Sequence, residues 1–119
     1  MAPSTAAAAR EDAKQALDYL TEMSPDLRGA AILSGRGDVL AASGEPVSWG
    51  DAATELLRAA DAAGGEPAEQ VHVATADGEV FAVRSGALAA VAVTDRFALA
   101  SLTLFDLRSV LRSLQKGER

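Results

Sequence analysis

The sequence predicts a domain of the α/β class, in its α+β form, with the element order α-β-β-α-β-β-β-α. Amphipathic helical periodicity occurs near both ends and in the middle of the chain, and short apolar runs separated by turn residues lie between these helices. A length of 119 residues allows one hydrophobic core and not two. We therefore expect one domain over residues 9–115, a flexible segment at 1–8 and a short tail at 116–119.

The first helix is indicated by apolar residues at helical spacing over 9–23, with charged residues on the other side. Pro25 ends it, because proline disfavours a helical conformation for the preceding residue and has no N–H to donate. The apolar runs 29–34 and 38–43 come next. Two glycines between them supply the conformational freedom of a tight reversal, which predicts a β-hairpin.

A second helix is predicted from Trp49 to Ala63, with Ser48 as its N-cap and a Gly-Gly pair as its stop. Its apolar residues cover more of the helix surface than packing against one sheet requires: Ala52, Ala53, Leu56, Leu57, Ala59, Ala60 and Ala63. An exposed remainder of this stripe would need a partner. Trp49 either packs over the sheet edge as core or serves as a partly exposed interface anchor.

Three strands follow the second helix. Residues 70–75 alternate in polarity, and an Asp-Gly pair at 77–78 predicts a hairpin turn into 80–83. The run 88–93 is continuously apolar, which is typical of a strand covered on both faces, so we expect it to be central and the 70–75 strand to leave an exposed edge. The final helix is the best-formed amphipathic one, over 99–114.

Composition excludes several classes of function. The formal net charge of -6 argues against binding to nucleic acids and to anionic membranes. The absence of cysteine removes disulfides, thiolate metal sites and cysteine nucleophiles, and fits a cytoplasmic location. The start of the chain does not resemble a signal peptide, and no stretch is apolar enough to span a membrane. The alanine excess and the preference for Arg over Lys indicate a GC-rich bacterial genome.

The sequence offers little from which to build catalysis. It has one histidine and neither a phosphate-loop nor a dinucleotide-binding motif. His72 lies in a predicted strand without a second ligand at metal-binding spacing, so we expect an ordinary edge-strand histidine. The carboxylates are scattered over helix faces and turns. We expect no catalytic residue, no metal site and no cofactor.

The order and spacing of the segments resemble the roadblock family, which includes dynein light chains and bacterial regulators of the gliding-motility GTPase. The matching segments cover nearly all of residues 10–114: LDYL at 17–20, LRGAAILS at 27–34, GDVLAAS at 37–43, GEVFAV at 78–83, the strand at 88–93 and LFDLR at 104–108. The resemblance implies a profilin/roadblock-like fold. Its five-stranded antiparallel sheet would carry the second helix on one face and the terminal helices on the other.

The resemblance also implies a homodimer that binds or regulates a small Ras-like GTPase or scaffolds a signalling complex. The third strand and second helix would pair with their counterparts into a ten-stranded sheet, through Val71, Val73, Thr75, Leu56 and Ala60. Partner docking is expected at Trp49, Glu55 and Arg58. If the third strand is the edge, Val73→Pro should weaken pairing more than folding. A heterodimer with a related chain remains an alternative.

A small-molecule sensor of the PAS or GAF type is the main alternative, because it uses a similar sheet with flanking helices. Ligand pockets are usually walled by aromatic side chains with a few convergent polar groups. One Trp, one Tyr and three Phe are poor material for such a pocket. The interaction module is therefore favoured over the sensor, and an enzyme is the least favoured of the three.

Overall fold

A computed structural model shows three helices and one five-stranded sheet, in the predicted order. It describes residues 4–34, 38–43, 46–64, 69–74, 76, 78–95 and 100–117. The elements are α1 (Ser4–Met23), β1 (Leu27–Ser34), β2 (Val39–Ala42), α2 (Pro46–Gly64), β3 (Gln70–Ala74), β4 (Glu79–Ser85), β5 (Leu88–Thr94) and α3 (Ala100–Gly117).

The strands form one antiparallel sheet in the order β2-β1-β5-β4-β3. The apolar strand β5 is central, as predicted, and almost all of its residues are buried. Strand β3 is at an edge, also as predicted, and most of its residues are exposed. The apolar and alternating patterns therefore identified the middle and one margin of the sheet correctly.

Helices pack on both faces of the sheet, with α1 and α3 on one face and α2 on the other. The core under α1 and α3 is the larger: Ala13, Leu17, Leu20, Ala30, Ile32, Phe81, Val83, Leu88, Ala90, Ala92, Leu107, Val110 and Leu111. The core under α2 is made of Ala31, Leu33, Leu57, Ala82, Ala89 and Val91. Alternate residues of β1, β4 and β5 thus point to opposite layers, which is the α+β sandwich that the sequence predicted.

Two helices begin earlier than the periodicity predicts. Helix α1 starts at Ser4, because the alanines at 6–9 favour a helix without adding large apolar side chains to the pattern. Helix α2 starts at Pro46, where proline suits the first helical position. Ser48 therefore lies inside the first turn, and its predicted role as N-cap is wrong.

Glycines act at two turns in different ways. Gly86 has a φ of 60° at the first position of the two-residue turn between β4 and β5, where a primed turn requires such a value. Gly78 is the second residue of the predicted Asp-Gly turn. Its φ is not in the left-handed region, and Asp77 lies outside the described residues. What requires glycine at 78 is space, since an added Cβ would lie 2.3 Å from the Thr94 carbonyl oxygen.

Replacing Gly78 by Ala should therefore destabilise the domain. The clash is with backbone of the central strand, which cannot move aside cheaply, and overpacking of this kind costs about 2 kcal/mol. The free energy of unfolding in urea measures the change. Gly64→Ala is the matched control, because a Cβ there meets nothing within 4 Å, and it should stay within about 0.5 kcal/mol of the parent. Equal effects of the two substitutions would contradict the steric account.

Candidate protein interface

The unpaired side of β3 presents backbone hydrogen-bonding groups in a register that the structure defines. The Arg84 N–H donates to the Glu69 carbonyl at 2.8 Å, so these two residues form a hydrogen-bonded pair just before the strand. In an antiparallel ladder such pairs alternate with non-bonded ones. The odd-numbered residues of β3 therefore bond to β4, and the backbone groups of Gln70, His72 and Ala74 point away from the sheet.

This register corrects the expected effect of proline at position 73. The Val73 N–H points towards Val80 of β4, so proline there would remove a hydrogen bond of the chain's own ladder and not one of the free edge. The prediction that Val73→Pro would weaken pairing more than folding is wrong. Ala74 is the neighbouring position whose N–H is on the open side.

The opposite edge, β2, is less suited to pairing with another strand. It has four residues, and its pairing with β1 shifts register between Ile32 and Leu33. The guanidinium of Arg10 on α1 also donates to the Val39 carbonyl, with Nη1 at 3.4 Å from the oxygen. Short length, an irregular register and a nearby cation are features that protect edge strands. The two edges of the sheet are therefore unequal, and β3 is the open one.

The predicted interface side chains of β3 lie on the α2 side of the sheet, because Val71 pairs with Ala82 and Val73 with Val80. Val71 is half-buried, and Val73 is 40% exposed although it is apolar. Leu56 of α2 is half-buried and packs on the same core cluster as Val71. These two predicted residues thus contribute to the same core layer.

The other two predicted interface residues are Ala60 and Thr75. Ala60 of α2 is half-buried, whereas Thr75 lies outside the described residues. In the same helix Leu57 is buried and holds α2 on the sheet. Four of the five predicted interface residues are therefore described, two on β3 and two on the helix that covers the same face of the sheet.

The outer surface of α2 confirms that its apolar stripe is wider than the sheet can cover. Ala52, Ala59 and Ala63 are exposed, and their spacing places them along one flank of the helix. Such small side chains allow another helix to approach closely. Glu55 and Arg58, the predicted docking residues, are also exposed. Trp49 is in the first turn of α2, but its side chain lies outside the described residues.

An ion pair that the sequence did not predict attaches α2 to the sheet. Arg84 of β4 donates to Asp61 through two nitrogens, with Nη1 to Oδ1 at 2.8 Å and Nη2 to Oδ2 at 3.1 Å. This two-bond geometry restricts orientation as well as distance. In the sequence, Asp61 is a lone acid on the sheet side of an alanine-rich helix. Recognising the pair also requires the position of Arg84 on β4, which the sequence alone does not show.

His72 points to the other face of the sheet, where it stacks on Phe81 with ring centroids 4.4 Å apart. Its Nε2 lies 2.6 Å from Oε1 of Glu79. It is an edge-strand histidine, as expected. In the described part of the chain, no three His, Asp or Glu side chains form a group that could hold a metal ion. No described helix has the length and hydropathy needed to cross a bilayer.

The sheet order, the helix layers and the open β3 edge define the class: the chain has the fold of roadblock domains. A Roadblock/LC7 domain from Streptomyces avermitilis is similar with a TM-score of 0.74 and 20% identity, over 87% of this chain and 94% of that chain. Myxococcus xanthus MglB matches with a TM-score of 0.74 and 12% identity, over 92% of each chain. The gliding protein MglB of Thermus thermophilus matches with a TM-score of 0.72 and 19% identity, over 92% of this chain and 90% of that chain.

No protein-family model and no curated protein sequence matches the chain. The likeness is therefore one of fold, at identities too low for sequence comparison to detect. It confirms the predicted fold and the resemblance to the roadblock family at the level of structure.

Breaking the ion pair should loosen α2 without unfolding the domain. Asp61→Asn removes the charge but keeps the shape, and because both partners are about one-third exposed we expect a loss of roughly 1 kcal/mol. The free energy of urea unfolding and amide exchange along α2 measure it. Asp95→Asn is the control, since its pair with Arg28 is longer at 3.5 Å and more exposed, and it should change stability by less than about 0.5 kcal/mol. A larger loss from Asp95→Asn than from Asp61→Asn would contradict this ranking.

Proposed function

We propose that this protein is a non-catalytic homodimeric interaction module without a cofactor, and that it binds a small Ras-like GTPase. Two chains join through their β3 edges about a two-fold axis, which extends the sheet to ten strands. Their α2 helices then lie beside each other as the docking surface. The observation that carries the proposal is an open β3 edge in a roadblock fold, together with an exposed apolar flank on α2, the helix that covers the same face of the sheet as Val71 and Val73.

The dimer is supported by what β3 leaves unsatisfied. Its even-numbered residues direct N–H and C=O groups outward, and an antiparallel copy of the same strand offers the matching groups. Val73 adds exposed apolar surface on the α2 side of that edge. Backbone pairing supplies affinity and the flanking side chains supply specificity in this mode of recognition.

The partner is supported by the roadblock resemblance of the sequence together with the composition of the exposed α2 surface. Alanines provide a flat apolar strip, and Glu55 and Arg58 supply one charge of each sign beside it. An ordinary interface buries about 800 Å² per partner and concentrates its energy in a few aromatic or Arg residues. Trp49 and Arg58 are the residues of those types on α2.

Val73→Lys should dissociate the β3 pair while leaving the monomer folded. Val73 is already 40% exposed, so a lysine is tolerated in one chain, but two lysines would meet in an apolar dimer interface. We expect sedimentation velocity to show that the dissociation constant of the β3 contact rises by about tenfold or more, while the circular dichroism spectrum stays unchanged. Ala74→Pro should act likewise by removing an outward N–H.

Val73→Thr is the matched control, because it keeps the β-branched shape and the ladder. Retention of the parent assembly by Val73→Thr, with loss in Val73→Lys, supports the proposed edge. If Val73→Lys and Ala74→Pro both assemble like the parent protein, the β3 dimer is wrong.

GTPase docking is tested with a variant that keeps the dimer. Trp49→Ala with Arg58→Glu should weaken binding to the small GTPase encoded nearest to this chain by about 2 kcal/mol or more, measured by calorimetry with GDP and with a non-hydrolysable GTP analogue. Lys14→Glu on α1 is the control for a charge change elsewhere and should bind like the parent. The module alone should release no phosphate from GTP. Unchanged affinity in a double variant that is still dimeric would place the docking surface elsewhere.

A further inference from the structure

The outer face of α1 and α3 exposes more large apolar side chain than the β3 edge does. Tyr19 and Met23 of α1 are 58% and 53% exposed, and Leu102 and Phe105 of α3 are 54% and 60% exposed. Met23, Leu102 and Phe105 belong to the apolar periodicity that predicts the first and last helices over 9–23 and 99–114. Leu102 and Phe105 precede the buried Leu107 by five and two residues, which turns both to the far side of α3. An apolar patch of this kind marks a binding surface.

The two helices lie antiparallel, and one contact sets their relative level. The Ser24 hydroxyl, just beyond the end of α1, donates to Oδ2 of Asp106 near the start of α3 at 3.2 Å. Further along, residues of both helices, among them Tyr19 and Ser109, line a shared groove of about 630 Å³. Met23 is therefore at the level of Phe105 and Asp106.

Among the exposed charges of α1 and α3, two acids and two arginines lie at matching levels. Glu22 lies two residues before Ser24, and Arg108 lies two residues after Asp106. Asp18 and Arg112 lie six residues from the same two positions. Glu22 is therefore level with Arg108, and Asp18 with Arg112. All four side chains are exposed, and none forms an ion pair within the described part of the chain.

We propose that this face binds a second copy of the chain, with α1 of one copy lying on α3 of the other. A two-fold axis lies in the interface, parallel to the helices. It leaves the position of every residue along the helix direction unchanged and places α1 of one copy opposite α3 of the other. It places Met23 of one copy over Phe105 of its partner, with Tyr19 and Leu102 flanking this contact on either side along the helices. The acids of α1 then meet the arginines of the opposing α3, which the same operation repeats on the other side.

A second copy fits better than an unrelated partner because the face is complementary to itself. A surface built for a basic or an acidic ligand would carry one sign of charge, whereas here two acids of α1, Asp18 and Glu22, are matched by two arginines of α3, beside apolar side chains on both helices. Like charges directly opposed cost energy, so α1 against α1 is disfavoured and α1 against α3 is selected. The contact is separate from the β3 edge, so both together would build assemblies of more than two chains.

The test is a charge exchange in the Val73→Lys background, which isolates this contact from the β3 edge. One variant carries Arg108→Glu with Arg112→Glu, and the other carries Asp18→Lys with Glu22→Lys. Each alone opposes like charges across the two-fold axis and should weaken self-association by about tenfold or more in sedimentation velocity. An equimolar mixture restores opposite charges on both sides and should assemble like the Val73→Lys parent.

Circular dichroism and urea unfolding confirm that both variants fold, which is expected because all four positions are exposed. Restoration in the mixture supports the proposal, since a merely structural effect of either variant would not be repaired by mixing. A Val73→Lys parent that stays a single chain up to hundreds of micromolar overturns it, as does a mixture no better than its components. If Val73→Lys leaves the wild-type assembly unchanged, the proposed β3 dimer is wrong. The charge exchange alone then tests the contact between α1 and α3.

Discussion

Strand β5 buries both of its faces, and the arrangement of the other elements depends on that. Ala90 and Ala92 face the layer of α1 and α3, while Ala89 and Val91 face α2. A strand that is apolar on both sides needs a helix layer over each face and a strand along each margin. β1 and β4 therefore pair with β5, and β2 and β3 become the edges of the sheet.

The two edges have different consequences because different parts of the chain lie beside them. At β2 the cation of Arg10 reaches the Val39 carbonyl, and the register with β1 is irregular. At β3 the ladder with β4 is regular, so every second residue directs its backbone groups outward in an orderly row. An orderly row is what a second strand requires, and this makes β3 the better site for extending the sheet.

Alanine supplies seven of the 19 buried hydrophobic residues in the described part of the chain. Small residues let the helices approach the sheet closely, which leaves little volume for more side chains between the layers. Among the described residues, the large exposed apolar side chains fall in two places on opposite sides of the sheet. Val73 belongs to the β3 edge, and Tyr19, Met23, Leu102 and Phe105 belong to α1 and α3. A contact at one place leaves the other free.

The sequence by itself determined the element order, the central position of β5, the edge position of β3 and the excess apolar surface of α2, because polarity patterns report which faces are buried. Only the tertiary structure decided the direction of the Val73 N–H, the steric role of Gly78 and the pairing of Asp61 with Arg84. Each depends on the register or distance between segments far apart in the chain. The matching positions of Asp18 and Arg112 along α1 and α3 were also decided by the tertiary structure. A periodic pattern describes a single helix and does not report how far the neighbouring helix is shifted along it.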